Sequence, residues 1–227
     1  MYQDKYMPTT LIPQETRPPD TARPKSQPQA GLRRWTADEY QRMLEIDLFD
    51  GDRVELLRGQ IWNAGRQSPP HTTFVHITAK TLKDAFGTGF LVSQKMPVAL
   101  NDVSEPEPDI AVATGEIDDY AEHHPGTSEI LLLAEVADDT LAKDRETKMA
   151  IYAEAGVSEY WIVNLIQRQL EVYRQPSPAG IYRDCTTYLL GQCVAPLSGL
   201  GKAIMVSELL PPLKAPHPNS GEPDEER

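Results

Sequence analysis

With 227 residues, of which 40% are hydrophobic and 25% charged, the chain is long enough to bury the core of one sizeable domain. Its longest uncharged apolar run, Ile130–Ala134, is far too short to span a membrane, and its two cysteines exclude a disulfide scaffold. A net charge of −12 argues against bulk attraction to nucleic acid. No apolar segment opens the sequence, so we expect a cytoplasmic protein rather than a secreted one.

Proline content divides the chain into a body and two tails. Residues 1–30 carry six of the twenty prolines and little apolar periodicity, so they are predicted to be disordered. Residues 213–227 are proline-containing and acidic, and they are predicted to be disordered as well. The two tails sum to +1 and −2, which leaves −11 of the net charge on residues 31–212. The acidity therefore belongs to the predicted domain.

The first half of the body is predicted to begin with a helix and a hairpin. Thr36 and Glu39 have capping-box spacing, which predicts a helix that ends near Asp47. Arg58-Gly59 lies between two short apolar runs, as in the turn of a β-hairpin. Apolar residues then recur with a helical period as far as Gly87, which ends the pattern. The remaining predicted elements here are the hairpin strands 53–57 and 60–62, the helix 71–86, and two short strands at 89–93 and 96–100.

The second half carries the strongest strand signal. Ile130–Val136 is the most hydrophobic run of the chain, and it predicts a central strand buried on both faces. Gly156 ends a helix predicted over 143–155. Further strands are predicted at 108–113, 160–163, 170–173 and 182–189. This pattern predicts an α/β architecture built on a mixed sheet with few helices.

Three ionisable residues lie where stability alone would not place them. Asp109 heads an apolar strand and Glu135 ends another, so each carboxylate risks burial without a partner. Lys148 lies on the following helix, on the same face as Asp144. Two carboxylates at neighbouring strand ends can bind Mg²⁺ or Mn²⁺, and a nearby lysine can orient water or stabilise charge on a phosphate. The alternative is a structural ion pair between Glu135 and either Lys148 or Lys143.

Around these residues the sequence resembles the Uma-two family of restriction endonucleases, a branch of the PD-(D/E)XK nuclease superfamily. The similarity extends from Trp35 to Leu210 and rests on six motifs in order. The motifs are the opening helix 36–40, the hairpin 53–59, Ser68-Pro69-Pro70-His71, Glu107-Pro108-Asp109-Ile110-Ala111-Val112, Leu133-Ala134-Glu135-Val136, and the run from Asp144 through Lys148 and Tyr152 to Trp161. The resemblance implies a restriction-endonuclease-like mixed β-sheet core flanked by helices, with an N-terminal helix and hairpin.

The resemblance also implies roles for individual residues. Asp109 and Glu135 would be catalytic metal ligands, aided by the backbone carbonyl of Val136. The usual lysine of the superfamily lies two residues after the glutamate, where this chain has Ala137. The family places its lysine on the next helix, so the role of catalytic lysine passes to Lys148.

Three further residues are possible supporting members of the site. Glu55 would bind a second metal or a metal-bound water, or it would only support the hairpin. His71 is either a site residue or a polar group at a helix start. Asp144 would orient Lys148 by an ion pair. Four basic residues are candidates for phosphate contacts or are ordinary surface charges: Arg66, Lys80, Lys83 and Lys95.

The function that the resemblance implies is a Mg²⁺- or Mn²⁺-dependent endonuclease that hydrolyses phosphodiester bonds in DNA. Homodimers are common in the superfamily, so a homodimer is an open expectation. The alternative is a catalytically silent nuclease-like module for binding or assembly. It is motivated by the body charge of −11 and by Ala137-Asp138-Asp139, which stand where the family has Ser-Pro-Ser. A hydrolase for another phosphodiester is a third option.

Overall fold

The structure, a computed structural model, describes residues 31–65, 67–198 and 202–212. The predicted tails and Arg66 lie outside these residues. The elements in chain order are α1 (Ala37–Glu45), β1 (Val54–Leu57), β2 (Gln60–Asn63), α2 (Pro69–Phe86), β3 (Phe90–Gln94), β4 (Ile110–Thr114), a 3-10 turn (Ile117–Tyr120), β5 (Ile130–Ala137), α3 (Leu141–Lys143), a π-helical segment (Asp144–Lys148), α4 (Met149–Glu154), β6 (Glu159–Asn164), β7 (Gln169–Ser177), β8 (Ile181–Leu189), β9 (Cys193–Val194), β10 (Ile204–Met205) and α5 (Val206–Leu209).

Six strands form a mixed sheet in the order β3-β4-β5-β6-β7-β8. All neighbouring pairs are antiparallel except β5 and β6, which run parallel with Glu135 opposite Ile162. Parallel neighbours need a long crossover, and α3, the π-helical segment and α4 supply it. The sheet confirms the predicted α/β class, and β5 is the buried central strand that its apolar run predicted.

Hydrophobic clusters cover both faces of the sheet. Successive residues of a strand point to opposite faces. Leu132 accordingly packs in the same cluster as Phe86 of α2, whereas Leu133 packs in the cluster of Ile151 of α4. The same alternation turns Glu135 toward the face that α4 covers. The carboxyl end of β5 therefore lies between α2 and the crossover helices.

The capping box and the hairpin are confirmed, but one predicted strand is wrong. Thr36 and Glu39 cap α1 reciprocally, and β1 pairs with β2 across Arg58-Gly59. The run 96–100 is not a strand, and it makes an isolated bridge at Ala99. Pro97 has no N–H to donate, so the run cannot form a continuous ladder. In the part of the chain that the structure describes, no helix combines the length and the hydrophobicity needed to cross a membrane.

Candidate active site

A polar pocket lies at the carboxyl end of β5, between the start of α2, the hairpin and the crossover helices. Its charged residues are Arg53, Glu55, Lys95, Glu107, Asp109, Glu135, Asp138, Asp139, Lys143, Asp144 and Lys148. Seven carboxylates against four cations give this pocket a formal charge of −3 when His71 is neutral. Such an excess of negative charge attracts cations.

Asp109 lies directly before β4 and is buried. Its Oδ2 accepts a hydrogen bond from the Val136 N–H at 2.7 Å and lies 3.0 Å from His71 Nε2, while its Oδ1 pairs with Lys95. Its own N–H donates to Glu135 Oε2 at 3.3 Å. The antiparallel pairing of β4 with β5 thus brings together the two carboxylates that the sequence predicted as metal ligands.

Glu135 is only 2% exposed and is held by two side chains of the crossover. Its Oε1 accepts hydrogen bonds from Lys148 Nζ at 2.9 Å and from the Tyr152 hydroxyl at 2.8 Å. Burial raises the pKa of Glu135 above its ordinary value, although the charge of Lys148 opposes this effect. The ion pair between Glu135 and Lys148 therefore exists, and it forms inside the pocket rather than apart from it.

The helix that carries Lys148 is not regular. The sequence predicted one helix over 143–155, but Asp144–Lys148 is a π-helical segment between two α-helical turns. Such segments widen the turn and re-aim the side chains, and they are frequent at functional sites. Lys148 Nζ lies 3.6 Å from Glu55 Oε2 in addition to its contact with Glu135.

Among the described residues, Asp144 and Lys148 do not form the direct ion pair that the sequence predicted. Asp144 Oδ2 accepts a hydrogen bond from the Thr140 hydroxyl at 2.6 Å, while Lys148 pairs with the two glutamates among the described residues. Burial by itself would lower the pKa of Lys148. The charges of Glu135, Glu55 and Asp144 outweigh that effect and raise it above its ordinary value. Lys148 is therefore firmly protonated.

The two residues whose roles the sequence left open, Glu55 and His71, both lie in the pocket. Glu55 accepts hydrogen bonds from Lys143 Nζ at 2.7 Å and from the Glu107 N–H at 3.2 Å. Burial would raise the pKa of Glu55, but the charges of Lys148 and Lys143 outweigh burial and lower it. Glu55 is thus an ionised member of the pocket as well as a residue of the hairpin.

His71 is placed by the start of α2. Ser68 caps this helix by accepting a hydrogen bond from the His71 N–H at 3.2 Å, and two prolines fill the first turn. Burial lowers the pKa of His71 below its ordinary value, and the charge of Lys95 makes a smaller contribution in the same direction. A neutral imidazole that carries its proton on Nε2 would donate it to Asp109 Oδ2. His71 therefore lies in the pocket, in contact with Asp109.

Sequence reasoning missed several side-chain contacts of the pocket. It did not pair Lys95 with Asp109, Lys143 with Glu55, or the Tyr152 hydroxyl with Glu135. The spacing of Tyr152, four residues after Lys148, was the available signal for the last contact. For the two lysines no local pattern exists, because their partners lie 14 and 88 residues away.

The other predicted phosphate contacts lie apart from the carboxylates. Lys80 forms an exposed pair with Asp84 within α2, at 2.7 Å. Lys83, also on α2, borders a separate groove beside β3. Of the four candidates, Arg66 lies outside the described residues, and Lys95 reaches the pocket.

The donor set fits a divalent cation that prefers oxygen ligands. Mg²⁺ is commonly held by one or two carboxylates and keeps several of its waters. Asp109 and Glu135 both line the pocket, and the backbone N–H of Asp109 donates to the Glu135 carboxylate. Within the described residues no three acidic, histidine or cysteine side chains converge as a ready-made metal cage. The ammonium of Lys95 pairs with Asp109 Oδ1. Asp109 and Glu135 would hold the metal, and the carbonyl of Val136 stays a predicted ligand.

The π-helical segment is anchored to β7 by Arg145 and Glu171. Arg145 donates to Glu171 Oε1 at 2.6 Å and to Oε2 at 2.9 Å, and Asn164 and Tyr173 also donate to this carboxylate. Burial would raise the pKa of Glu171, but Arg145 and the other donors lower it to about 2. This anchor fixes the segment that carries Lys148.

We expect Glu171→Gln to lower the free energy of unfolding at pH 7 by about 2 kcal/mol. The loss is smaller than the lowered pKa alone implies, because Arg145 is partly exposed and solvent screens its charge. A carboxylate whose pKa is lowered in the folded state stabilises the fold at pH values above its ordinary pKa of 4.5. This contribution is lost as the pH falls toward the folded-state pKa of about 2. Urea denaturation of wild type and variant between pH 7 and 3 measures the effect. The difference in the free energy of unfolding between the two proteins should become smaller as the pH falls. A difference that stays constant would contradict a lowered pKa of Glu171.

Comparisons with known proteins agree with this fold. A solved structure, described as that of "a putative nuclease belonging to DUF820 from Anabaena variabilis ATCC 29413", matches with a TM-score of 0.61 and 15% identity. The match covers 77% of this chain and 97% of that one, and at this identity it shows the fold alone. The fold is thus one found in a nuclease-like protein.

The family follows from the sequence. The model of the Uma2 family, described as "Putative restriction endonuclease", matches residues 37–206. The chain therefore belongs to the Uma2 family, which confirms the resemblance found in its motifs. No curated protein matches the chain in sequence.

Proposed function

We propose that the protein is a metal-dependent endonuclease that hydrolyses phosphodiester bonds in DNA, with Mg²⁺ or Mn²⁺ as its cofactor. The carrying observation is the contact of Asp109 with Glu135 in a pocket where Lys148 Nζ lies 2.9 Å from Glu135 Oε1. Membership of a family described as restriction endonucleases supports the choice of DNA as the substrate.

Four residues of the pocket have a task in the proposed reaction. A bound divalent ion supplies a more acidic water and neutralises charge on the scissile phosphate. Asp109 and Glu135 would bind it, and His71 would hold Asp109 in place through the contact at 3.0 Å. Because the surrounding carboxylates keep Lys148 protonated, this lysine acts through its charge on the phosphate oxygens rather than as a base.

The charge of the pocket makes DNA binding depend on a cation. A phosphodiester carries one negative charge, and a pocket of formal charge −3 repels it. Asp138 and Asp139 line the pocket and contribute to this repulsion. A divalent cation neutralises most of this negative charge. The acidity of the chain, which motivated the alternative of a non-catalytic module, is therefore compatible with a nuclease.

Cleavage of supercoiled plasmid DNA in Mg²⁺, Mn²⁺ or EDTA tests the proposal. We expect nicking in both metals, none in EDTA, and a loss of about 10²-fold or more in Glu135→Ala. Glu146→Ala is the matched control, because Glu146 is exposed on the same crossover as Lys148. A folded wild type that binds Mn²⁺ but leaves plasmid intact would favour another phosphodiester, and one that binds no metal would favour the silent module.

Assembly and location stay predictions. A homodimer is an open expectation from the superfamily resemblance, and light scattering of the purified full chain would measure its mass in solution. A cytoplasmic location follows from the sequence pattern, and cell fractionation would test it.

A further inference from the structure

The turn after β3 holds Lys95 over the predicted metal ligand Asp109. Lys95 has a φ of 53°, a left-handed backbone conformation that lysine rarely adopts, and its N–H donates to the Asp109 carbonyl at 3.2 Å. Its ammonium pairs with Asp109 Oδ1. When the side-chain amide of Gln67 is turned by 180°, which gives both donors an acceptor, its oxygen accepts from Lys95 Nζ at 3.1 Å and from Arg53 at 3.1 Å. In that orientation the ammonium is held from two sides.

Lys95 occupies the carboxylate oxygen that a metal would need. Asp109 Oδ2 already accepts from the Val136 N–H and contacts His71, so Oδ1 is the freer oxygen of this carboxylate. A divalent cation bound there would lie close to the Lys95 ammonium, and the two positive charges would repel each other in a partly buried pocket. Metal and ammonium thus compete for Asp109.

Lys95 also differs from the other cations of the pocket in the carboxylate partners that it retains once a metal is bound. Lys143 and Arg53 are paired with Glu55 and Glu107, which the proposed metal site does not use. Lys148 retains Glu55 when Glu135 binds metal, and its side chain is only 8% exposed. The side chain of Lys95 is 24% exposed and loses its carboxylate partner. It is then free to pair with a phosphate.

We propose that Lys95 is an internal counter-ion which competes with the divalent cation for Asp109 and, once displaced, binds a phosphate of the nucleic acid. The inference rests on the proposed function and adds a residue that couples metal binding to substrate binding. It requires that removal of the Lys95 charge has opposite effects on the two ligands. Metal binding should tighten, and metal-dependent DNA binding should weaken.

Titration calorimetry of the full chain with Mn²⁺, without DNA, tests the first half. We expect Lys95→Gln to bind Mn²⁺ about tenfold more tightly than wild type and Lys95→Arg, which keeps the charge, to stay close to wild type. Lys80→Gln removes an equal charge from the exposed pair on α2 and should change nothing. Gln67→Leu, which loosens the hold on Lys95, should tighten Mn²⁺ binding to a smaller extent and serves if Lys95→Gln does not fold.

Fluorescence anisotropy of a labelled DNA duplex in Ca²⁺, a cation with the same charge and oxygen preference, tests the second half. We expect Lys95→Gln to bind DNA about tenfold more weakly than wild type. Unchanged or weaker Mn²⁺ binding by Lys95→Gln would overturn the competition, and unchanged DNA binding would overturn the phosphate contact. If Glu135→Ala binds Mn²⁺ as wild type does, the metal site of the proposed function fails, whatever Lys95→Gln shows.

Discussion

Replacement of Lys148 by methionine is expected to slow metal-dependent plasmid cleavage by about 10²- to 10³-fold. The ammonium lies 2.9 Å from Glu135 and stays protonated because three carboxylates surround it. Methionine fills a similar volume without the charge, so stabilisation of the developing negative charge on the phosphate is lost. Nicking of supercoiled plasmid under single-turnover conditions in saturating Mg²⁺ measures the effect.

Lys148→Met should also lower the free energy of unfolding, so the cleavage assay needs a check of folding and a matched variant. Glu135 and Glu55 lose a buried cation, and removal of one partner from a buried pair costs about 3–5 kcal/mol. Burial already raises the pKa of Glu135, so its protonation offsets part of that cost. Circular dichroism must show a folded variant at the assay temperature. Lys143→Met, which leaves the pair of Lys148 and Glu135 intact, should cleave faster than Lys148→Met, and wild-type cleavage by Lys148→Met would remove this lysine from the mechanism.

Mn²⁺ is expected to stabilise the wild-type protein through Asp109 and Glu135. At a free concentration of about 100 times Kd, a ligand that binds only the folded state adds about 2.7 kcal/mol to the free energy of unfolding. For a domain of this size the gain corresponds to an increase in Tm of roughly 5–10 °C. Glu135→Ala should lose the increase, because one of the two proposed metal-binding carboxylates of the pocket is gone. Thermal unfolding with Mn²⁺ and with EDTA measures both proteins.

The exposed-site variant Glu146→Ala should keep the full increase in Tm. An equal increase in Glu135→Ala would mean that Mn²⁺ binds elsewhere on this acidic chain. A wild type that Mn²⁺ does not stabilise would favour the silent binding or assembly module over the nuclease. The thermal measurement therefore separates the two hypotheses without any need for the correct DNA substrate.

Local patterns were sufficient for most elements of the fold and for the family. The capping box of Thr36 and Glu39, the hairpin turn and the apolar run of β5 each depend on residues within one or two turns or along one strand. Such signals act over short distances and survive in the sequence as spacing and periodicity. The motifs around Asp109, Glu135 and Lys148 were likewise readable, and they lie within the residues 37–206 that the family model matches.

Long-range packing was needed for the composition of the pocket. Lys95 meets Asp109, Lys143 meets Glu55, and His71 meets Asp109 through strand pairing and helix packing that no local period encodes. The π-helical segment, from which Lys148 contacts Glu135, interrupts a run that the sequence predicted as one regular helix. Contacts between distant residues are fixed by the register of the sheet and by the fit of the helices against it. Motifs along the chain therefore predicted which ionisable residues line the pocket, whereas packing determined which charges face each other.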